Sequence, residues 1–299
     1  MIVVAENINV MSKKLGKAMK ARDVKPIQEA AVQLTEAGAD YLDLNIGPAK
    51  KDGEERIVWI IDAVRDVVQT PLYLDTTNMN AIEAGLKHLA DKYDEKTKPV
   101  INSIMAIEAR MDRLFPLAGK YNAGAVSLLW GPEGIPRDAN ERGELAAALQ
   151  AKAMEYDVSP ADLWYDPIVT PVSSQQNQVE SCFEFMRDYL PAIAPDATST
   201  CGLSNVSNGA PEKLRPILNQ VYFAMLKKCG LQSAIVDPND TGLMNIARDK
   251  VPELEAIIGR VVDGEEIDPG SLNKDELDYY KTTKVLLGHS LYSDSWLDL

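Results

Sequence analysis

The sequence predicts a single (β/α)8 TIM barrel of the α/β class. Eight short apolar runs alternate with eight longer amphipathic stretches, and eight strand–helix pairs close such a barrel. A doubly wound sheet usually carries a glycine-rich phosphate turn after its first strand, but neither GxGxxG nor GxxxxGKS/T occurs here. Because α/β barrels routinely exceed about 200 residues as one domain, we expect residues 1–299 to form one domain.

The strands are predicted where short continuous apolar runs occur, because parallel strands covered on both faces have this pattern. They are residues 2–5, 41–45, 72–75, 100–102, 125–129, 163–166, 200–204 and 233–237. The helices are predicted between them, where apolar residues recur at helical spacing, as Ile27, Ala31 and Leu34 do. They are residues 24–37, 55–68, 81–89, 108–121, 141–156, 179–193, 211–228 and 243–251. The acidic stretch 263–275 is predicted to be a loop, and residues 276–287 a final helix.

Charge and cysteine content exclude several classes of protein. The formal net charge of −14 argues against wrapping nucleic acid or lying on an anionic membrane, because both need clustered Lys and Arg. Cys182, Cys201 and Cys229 are widely spaced and form no CxxC motif, so neither a disulfide framework nor a zinc site is predicted. The N-terminus lacks the pattern of a signal peptide, and no apolar stretch is long enough to span a membrane. We therefore expect a cytoplasmic protein that binds no metal.

Polar residues stand at the carboxyl ends of the predicted strands, which converge on the face of a barrel where active sites are built. This set is rich in Asp and Asn and contains no Lys, Arg, Cys or His. A carboxylate accepts N–H bonds, and an Asn amide both donates and accepts, so the set suits the edge of a flat heterocycle. The residues are Glu6, Asn7, Asn9, Asp43, Asn45, Asp75, Asn78, Asn102, Asp166, Ser204, Asn205, Asn208 and Asp237.

Other interpretations of these residues stay open. Asp and Asn are also common as helix caps and in Asx-turns, and such a set can bind a hard cation. Glu6 could be an acid or a structural partner of the nearby Asn residues, with the structural role favoured, and Cys201 is interpreted as a small core residue. Because His88 and His289 are the only histidines, a histidine-based triad or a metal site with several histidines is excluded.

Six short motifs occur at and near these strand ends: LDLNIGP at 42–48, LDTTN at 74–78, NAIEAGL at 80–86, INS at 101–103, YDP at 165–167 and GLSNVS at 202–207. Together they resemble the methyltetrahydrofolate:corrinoid/iron–sulfur protein methyltransferases of acetogenic metabolism, within the pterin-binding, dihydropteroate synthase-like superfamily. The resemblance runs in order from residue 1 to about residue 240. It resumes at the tail, where residues 279–297 are expected to form the family's C-terminal helix, whereas residues 248–278 look inserted.

The resemblance implies an activity and a role for each matching residue. The enzyme would move a methyl group between N5 of tetrahydrofolate and the cobalt of a corrinoid supplied by a partner protein, and it would be a homodimer. Asp75, Asn102 and Asp166 would hydrogen-bond the pterin ring, and Asn205, supported by Asp166, would stabilise charge at N5. The remaining expected pterin contacts are Gly202, Ser204, Asn208, Asn9 and Asp43.

Two departures from the acetogen pattern leave the partner open. Asn7 stands where the family usually has Arg, and residues 129–132 differ after the fifth strand. The alternatives are a dihydropteroate synthase-like transferase, whose late Ser-Arg-Lys segment and terminal Arg-Val-His are missing here, and a non-catalytic folate-binding protein. The direction of methyl transfer also stays open, with O- or N-demethylation slightly favoured over acetogenesis.

Overall fold

Eight parallel strands form a nearly closed barrel, so the fold prediction is confirmed. The computed structural model describes residues 1–94 and 96–298. Each strand pairs with its neighbours along the chain, and β1 also pairs with β8. Between β7 and β8 the barrel closes through the Gly202–Ile235 bridge, where the Ile235 N–H donates to the Cys201 carbonyl at 2.8 Å. The strands are β1 Ile2–Ala5, β2 Tyr41–Asn45, β3 Leu72–Asp75, β4 Val100–Met105, β5 Gly124–Leu128, β6 Leu163–Asp166, β7 Thr198–Ser199 and β8 Ser233–Val236.

Helices cover the outside of the barrel, and several begin at a side-chain cap. Asn78, for example, accepts the N–H groups of Asn80 and Ala81 at 3.1 and 3.2 Å, which satisfies donors that the first helical turn leaves unpaired. The helices are α1 Leu15–Ala21, α2 Val24–Glu36, α3 Gly53–Arg65, α4 Met79–Lys92, α5 Glu108–Lys120, α6 Ala139–Glu155, α7 Val172–Glu184, α8 Leu190–Ile193, α9 Arg215–Lys228, α10 Thr241–Ala247, α11 Pro252–Val262 and α12 Lys274–Leu286. A π-helical segment, Phe185–Tyr189, joins α7 to α8.

The predicted seventh strand, residues 200–204, is wrong in its bounds. The strand is Thr198–Ser199, and Leu203–Ser207 forms a 3-10 turn instead. Ser and Asn side chains compete with strand pairing by bonding nearby backbone, and Ser207 Oγ donates to the Ser204 carbonyl at 3.1 Å. The turn projects the predicted N5 residue, Asn205, above the barrel.

The predicted C-terminal helix, residues 279–297, is also wrong in its bounds. Helix α12 begins with a capping box formed by Asn273 and Glu276, and it ends at Leu286. Gly288 then adopts a φ of 72°, a left-handed conformation that glycine permits without strain and that ends helices. The tail folds back onto α12, where Trp296 Nε1 donates to Thr282 Oγ1 at 2.9 Å.

Two helices lie where the sequence predicted none. Helix α1 was not foreseen between β1 and α2, and α11 occupies part of the stretch 248–278. Helices α11 and α12 both pack on α9, outside the ring of helices that follow the strands. Whether 248–278 is an insertion, and whether the chain is one domain, stay predictions.

Candidate active site

Strand alternation and register bring the predicted pterin residues together inside the barrel mouth. Asn45, Asp75 and Asn102 are direct partners across β2, β3 and β4. Because side chains alternate between the two faces of a strand, Asp43 and Asp75 lie on the same side of the sheet as Tyr41 and Tyr73, one step further up each strand.

An aromatic layer forms the floor beneath these polar groups. Tyr41, Tyr73 and Trp164 meet edge to face, with ring centroids 5.2 to 5.7 Å apart. They belong to a small apolar cluster of inward-facing residues contributed by seven strands. The floor removes water from one side of the site, which strengthens hydrogen bonds and electrostatic interactions above it.

Asp43 and Asp75 form a buried carboxyl pair. Asn102 Nδ2 donates to Asp43 Oδ1 at 3.1 Å, and Asn45 Nδ2 donates to Asp75 Oδ2. Burial, together with the negative charge of Asp75, raises the pKa of Asp43 well above its usual range. Burial raises the pKa of Asp75 to about 6, while hydrogen bonds from Asp43 and Asn45 oppose the rise. Burial and the closeness of the two groups therefore make it unfavourable for both carboxyls to be ionised at once.

Asp166 lies at the end of β6, on the same side of that strand as Trp164 in the aromatic floor. It is 8 % exposed, and its Oδ1 accepts the Ile168 N–H at 2.8 Å. Burial raises the pKa of Asp166 to about 6, and backbone hydrogen bonds from Ile168 and Gly202 limit the rise. The carboxylate is thus ionised at pH 7 and held in place by the backbone of two different strand ends.

The turn after β7 lies against the end of β1. Ser204 Oγ donates to Glu6 Oε2 at 2.9 Å, which joins residues almost two hundred positions apart. Asn205 is exposed at the mouth, and its Oδ1 accepts Asn208 Nδ2 at 3.1 Å. Arg215 in turn donates to Asn208 Oδ1 at 3.3 Å. The Asn205 amide group therefore keeps its N–H donors available to a ligand.

Asn9 is placed differently from the other predicted residues. It bridges to Asn45 at the end of β2, and its Oδ1 accepts the Met11 N–H at 2.8 Å. The side-chain oxygen is thus committed to its own loop, although the residue borders the mouth. Gly202 is packed so closely that a Cβ there would come within 3.2 Å of the Asn205 side chain.

Two functional contacts were missed by the sequence analysis. The first is Glu6, which was interpreted as a partner of Asn residues but binds Ser204. Burial raises the pKa of Glu6, and Asp237 adds to the rise, whereas Ser204 and Arg215 lower it. These four residues line a cavity of about 240 Å³ beside the predicted N5 residue. Glu6, Ser204 and Asp237 were all among the polar residues predicted at the strand ends, so their closeness could have been foreseen, whereas Arg215 on α9 carried no such signal.

The second missed contact is Arg142, a guanidinium with no exposed surface. It donates to the Pro167 carbonyl at 2.9 Å, to Ser181 Oγ at 2.6 Å and to Gln178 Oε1 at 2.9 Å. Pro167 directly follows Asp166, so Arg142 fixes the strand end that carries a predicted pterin ligand. An Arg on a predicted surface helix gives no sign of such burial.

Residues 1–94 and 96–298 contain neither a candidate membrane-spanning helix nor a candidate metal-binding cluster. No helix in this part of the chain is long and apolar enough to cross a membrane. No group of three or more His, Cys, Asp or Glu in the same residues could hold a metal ion.

Comparison with known proteins places these features in context. The family profile described as "Pterin binding enzyme" matches residues 5–237. A methylcorrinoid:tetrahydrofolate methyltransferase of Eubacterium limosum is 28 % identical over 246 residues, which cover 82 % of this chain and 88 % of that protein. A methionine synthase of Mycobacterium tuberculosis is 27 % identical over 263 residues, 84 % of this chain but 21 % of that longer protein.

The fold itself also has a solved counterpart. Dihydropteroate synthase from Thermus thermophilus superimposes with a TM-score of 0.60, covering 85 % of this chain and 94 % of that one. Because the identity is 17 %, this similarity concerns the barrel alone.

Proposed function

The chain belongs to the family of pterin-binding enzymes, and from that premise we propose that it moves a methyl group between N5 of tetrahydrofolate and the cobalt of a corrinoid carried by a partner protein. The proposal is supported by the similarity to a methylcorrinoid:tetrahydrofolate methyltransferase along 88 % of that protein. The similarity to one part of methionine synthase supports the same folate-directed chemistry.

One observation carries the proposal: two ionised carboxylates and an amide converge at the barrel mouth beside an exposed Asn. Asp75 and Asp166 accept N–H groups from the amino-pyrimidinone edge of the pterin, and Asn102 both donates and accepts there. Asp43, whose pKa is raised by burial, hydrogen-bonds Asp75 and holds it in position. Hydrogen bonds to ionised groups are about twice as strong as neutral ones, so this edge orients the ring.

Asn205 acts on the reacting nitrogen. When cobalt(I) attacks the methyl carbon, the electron pair of the C–N bond returns to N5, which gains negative character and takes up a proton. An Asn205 N–H aimed at N5, with Asp166 behind it through ordered water, stabilises that charge as the bond breaks. Such a donor increases turnover only if its bond is stronger in the transition state than in the ground state.

The same proposal extends to direction, partners and compartment. The Eubacterium limosum relative is named as a methylcorrinoid:tetrahydrofolate methyltransferase, and we favour the corresponding direction, from a methylcorrinoid to tetrahydrofolate, as in O- or N-demethylation. The proposed partners are a corrinoid protein and a second copy of this chain, in the cytoplasm. No observation favours a dihydropteroate synthase activity, since that similarity concerns the fold alone.

An anaerobic assay with free cob(I)alamin and methyltetrahydrofolate tests the reaction. We expect the cob(I)alamin spectrum to be replaced by that of methylcobalamin, with a much lower rate for Asn205→Ala and a normal rate for the exposed control Lys87→Ala. If methyltetrahydrofolate neither binds nor loses its methyl group, the proposal is wrong. Formation of dihydropteroate from p-aminobenzoate and the pterin diphosphate would instead establish the alternative transferase.

A further inference from the structure

A cluster of unpaired lysines borders the barrel mouth of this acidic protein. Residues 11–25 contain six basic residues and one acidic residue, in a chain with a net charge of −14. Lys13, Lys17 and Lys20 recur at i, i+4 and i+7, which places them along one face of α1 and the turn before it. All three are exposed, while Leu15, Ala18 and Met19 are buried on the opposite face.

The neighbouring loop adds two more exposed lysines. Arg22 at the end of α1 lies 3.5 Å from Asp52, the residue that directly precedes α3. Lys50 and Lys51 immediately precede Asp52 and are exposed. We call Lys13, Lys17, Lys20, Lys50 and Lys51 together the basic rim.

The basic rim is not neutralised by the protein itself. Within residues 1–94 and 96–298, none of its five ammonium groups lies within 4.0 Å of a carboxylate. Elsewhere lysines are paired, as Lys98 with Asp162 at 2.6 Å and Lys152 with Asp112 at 2.8 Å. An uncompensated row of positive charge attracts an extended anion.

The segment that carries the basic rim is attached to the candidate site. The Val10 N–H donates to the Asn45 carbonyl at 2.9 Å, and Asn45 in turn binds Asp75. Gly16 of α1 packs directly on Val10, because a Cβ on this glycine would overlap the Val10 carbonyl. Helix α1 therefore has a fixed position beside the mouth.

The order of chemical groups along this segment matches the order of groups along an extended folate. Asn9 borders the predicted pterin site, and Met11 follows with 86 % of its surface exposed. A thioether suits contact with an aromatic ring such as the p-aminobenzoyl group. The lysines of α1 come next, in the order in which an extended folate places its glutamate carboxylates beyond the aromatic ring.

We propose that the basic rim binds the free α-carboxylates of a poly-γ-glutamate tail on the folate substrate. Each γ-linked glutamate leaves one α-carboxylate, so the tail is a flexible chain of regularly spaced negative charges. The inference rests on the proposed function, since it needs a folate in the barrel. It adds a preference among folates, in which longer tails bind more tightly.

The test compares monoglutamyl and triglutamyl methyltetrahydrofolate by calorimetry at low and high salt. We expect the triglutamyl form to bind about tenfold more tightly at low ionic strength, because each exposed ion pair contributes up to a few-fold. Screening should reduce this preference in about 0.5 M salt. Lys17→Ala/Lys20→Ala should lose most of the preference while keeping its affinity for the monoglutamyl form, and the control pair Lys87→Ala/Lys250→Ala should retain both.

A third variant separates the ring contact from the tail contact. Met11→Ala should weaken both folates equally, by about two- to tenfold, because the aromatic ring is common to them. Equal affinity of wild-type protein for the two tail lengths would overturn the proposal. The basic rim would then be assigned to binding an acidic face of the corrinoid protein. A full preference retained by Lys17→Ala/Lys20→Ala would overturn it as well. Absence of monoglutamyl binding would instead reject the proposed function.

Discussion

The difference in unfolding free energy between Asp166→Asn and wild type, measured without ligand, should shift in favour of the variant as the pH rises. Burial raises the pKa of Asp166 from 3.8 to about 6. A carboxyl whose pKa is higher in the folded state than in the unfolded state favours folding at pH values below its unfolded-state pKa. This contribution to stability is lost as the pH rises through the folded-state pKa. Asn has a similar shape and no charge, so it escapes this loss.

The size of the effect follows from the two pKa values. At about 1.4 kcal/mol for each pKa unit, ionisation of Asp166 costs roughly 2 kcal/mol of folding free energy at pH 5 and roughly 3 kcal/mol at pH 8. The gap in unfolding free energy between Asp166→Asn and wild type should therefore change by about 1 kcal/mol between these two pH values. The weaker hydrogen bonds that Asn accepts from Ile168 and Gly202 shift both values equally and cancel.

Urea denaturation of both proteins at pH 5 and pH 8 measures this change. Thr77→Ala, a substitution of an exposed residue near the mouth, serves as a control and should show no pH-dependent gap. A gap between Asp166→Asn and wild type that is the same at both pH values would refute the reasoning, because Asp166 would then titrate with an ordinary pKa. The same variant should bind methyltetrahydrofolate more weakly, since it offers the pterin a neutral acceptor in place of an anion.

Four further substitutions test the site. Asn205→Ala should lower turnover with cob(I)alamin by roughly 100-fold and change the dissociation constant of methyltetrahydrofolate only a few-fold; equal losses in both would contradict a role at N5. Asp75→Ala should weaken folate binding by roughly 10- to 100-fold, from the loss of a charged hydrogen bond, measured by calorimetry. Asp43→Asn should keep the affinity for folate within about threefold, because Asn can also donate to Asp75 and accept from Asn102. A large loss of affinity would mean that Asp43 is ionised. Arg142→Met should lower the free energy of unfolding by about 2–4 kcal/mol, because it leaves several buried acceptors unpaired; unchanged denaturation midpoints would argue against this anchor.

The strands were predicted well wherever burial alone determines their composition. Seven of the eight runs, including Leu72–Asp75 and Leu163–Asp166, match observed strands within a few residues, because strands enclosed by helices must be apolar on both faces. The remaining strand, β7 Thr198–Ser199, is polar and short, so no apolar run in the sequence marks it. Helix α1 was missed because it is only seven residues long, so the helical spacing of Leu15, Ala18 and Met19 does not extend over enough turns to stand out.

The polar face of the barrel mouth could be predicted for a different reason. Chain direction fixes which end of every parallel strand points to the mouth, so Asp75, Asn102 and Asp166 had to converge once the strands were placed. Their ionisation could not be predicted, because it depends on burial and on neighbours from other strands. Asp43 and Asp75 are separated by one strand step in space, and only their packing shows that burial raises the pKa of both carboxyls.

Contacts between distant segments complete the site, and these leave no local pattern. Arg142 lies on α6, but it is bound to Pro167, Gln178 and Ser181, which belong to the end of β6 and to α7. Its charge has no carboxylate among these partners, so its burial depends on carbonyl, amide and hydroxyl oxygens that hold it in one geometry. The same contacts tie the Asp166 strand end to α6 and α7. Helical periodicity alone predicts a solvated face for Arg142, since the oxygens of Pro167, Gln178 and Ser181 are distant from it in sequence.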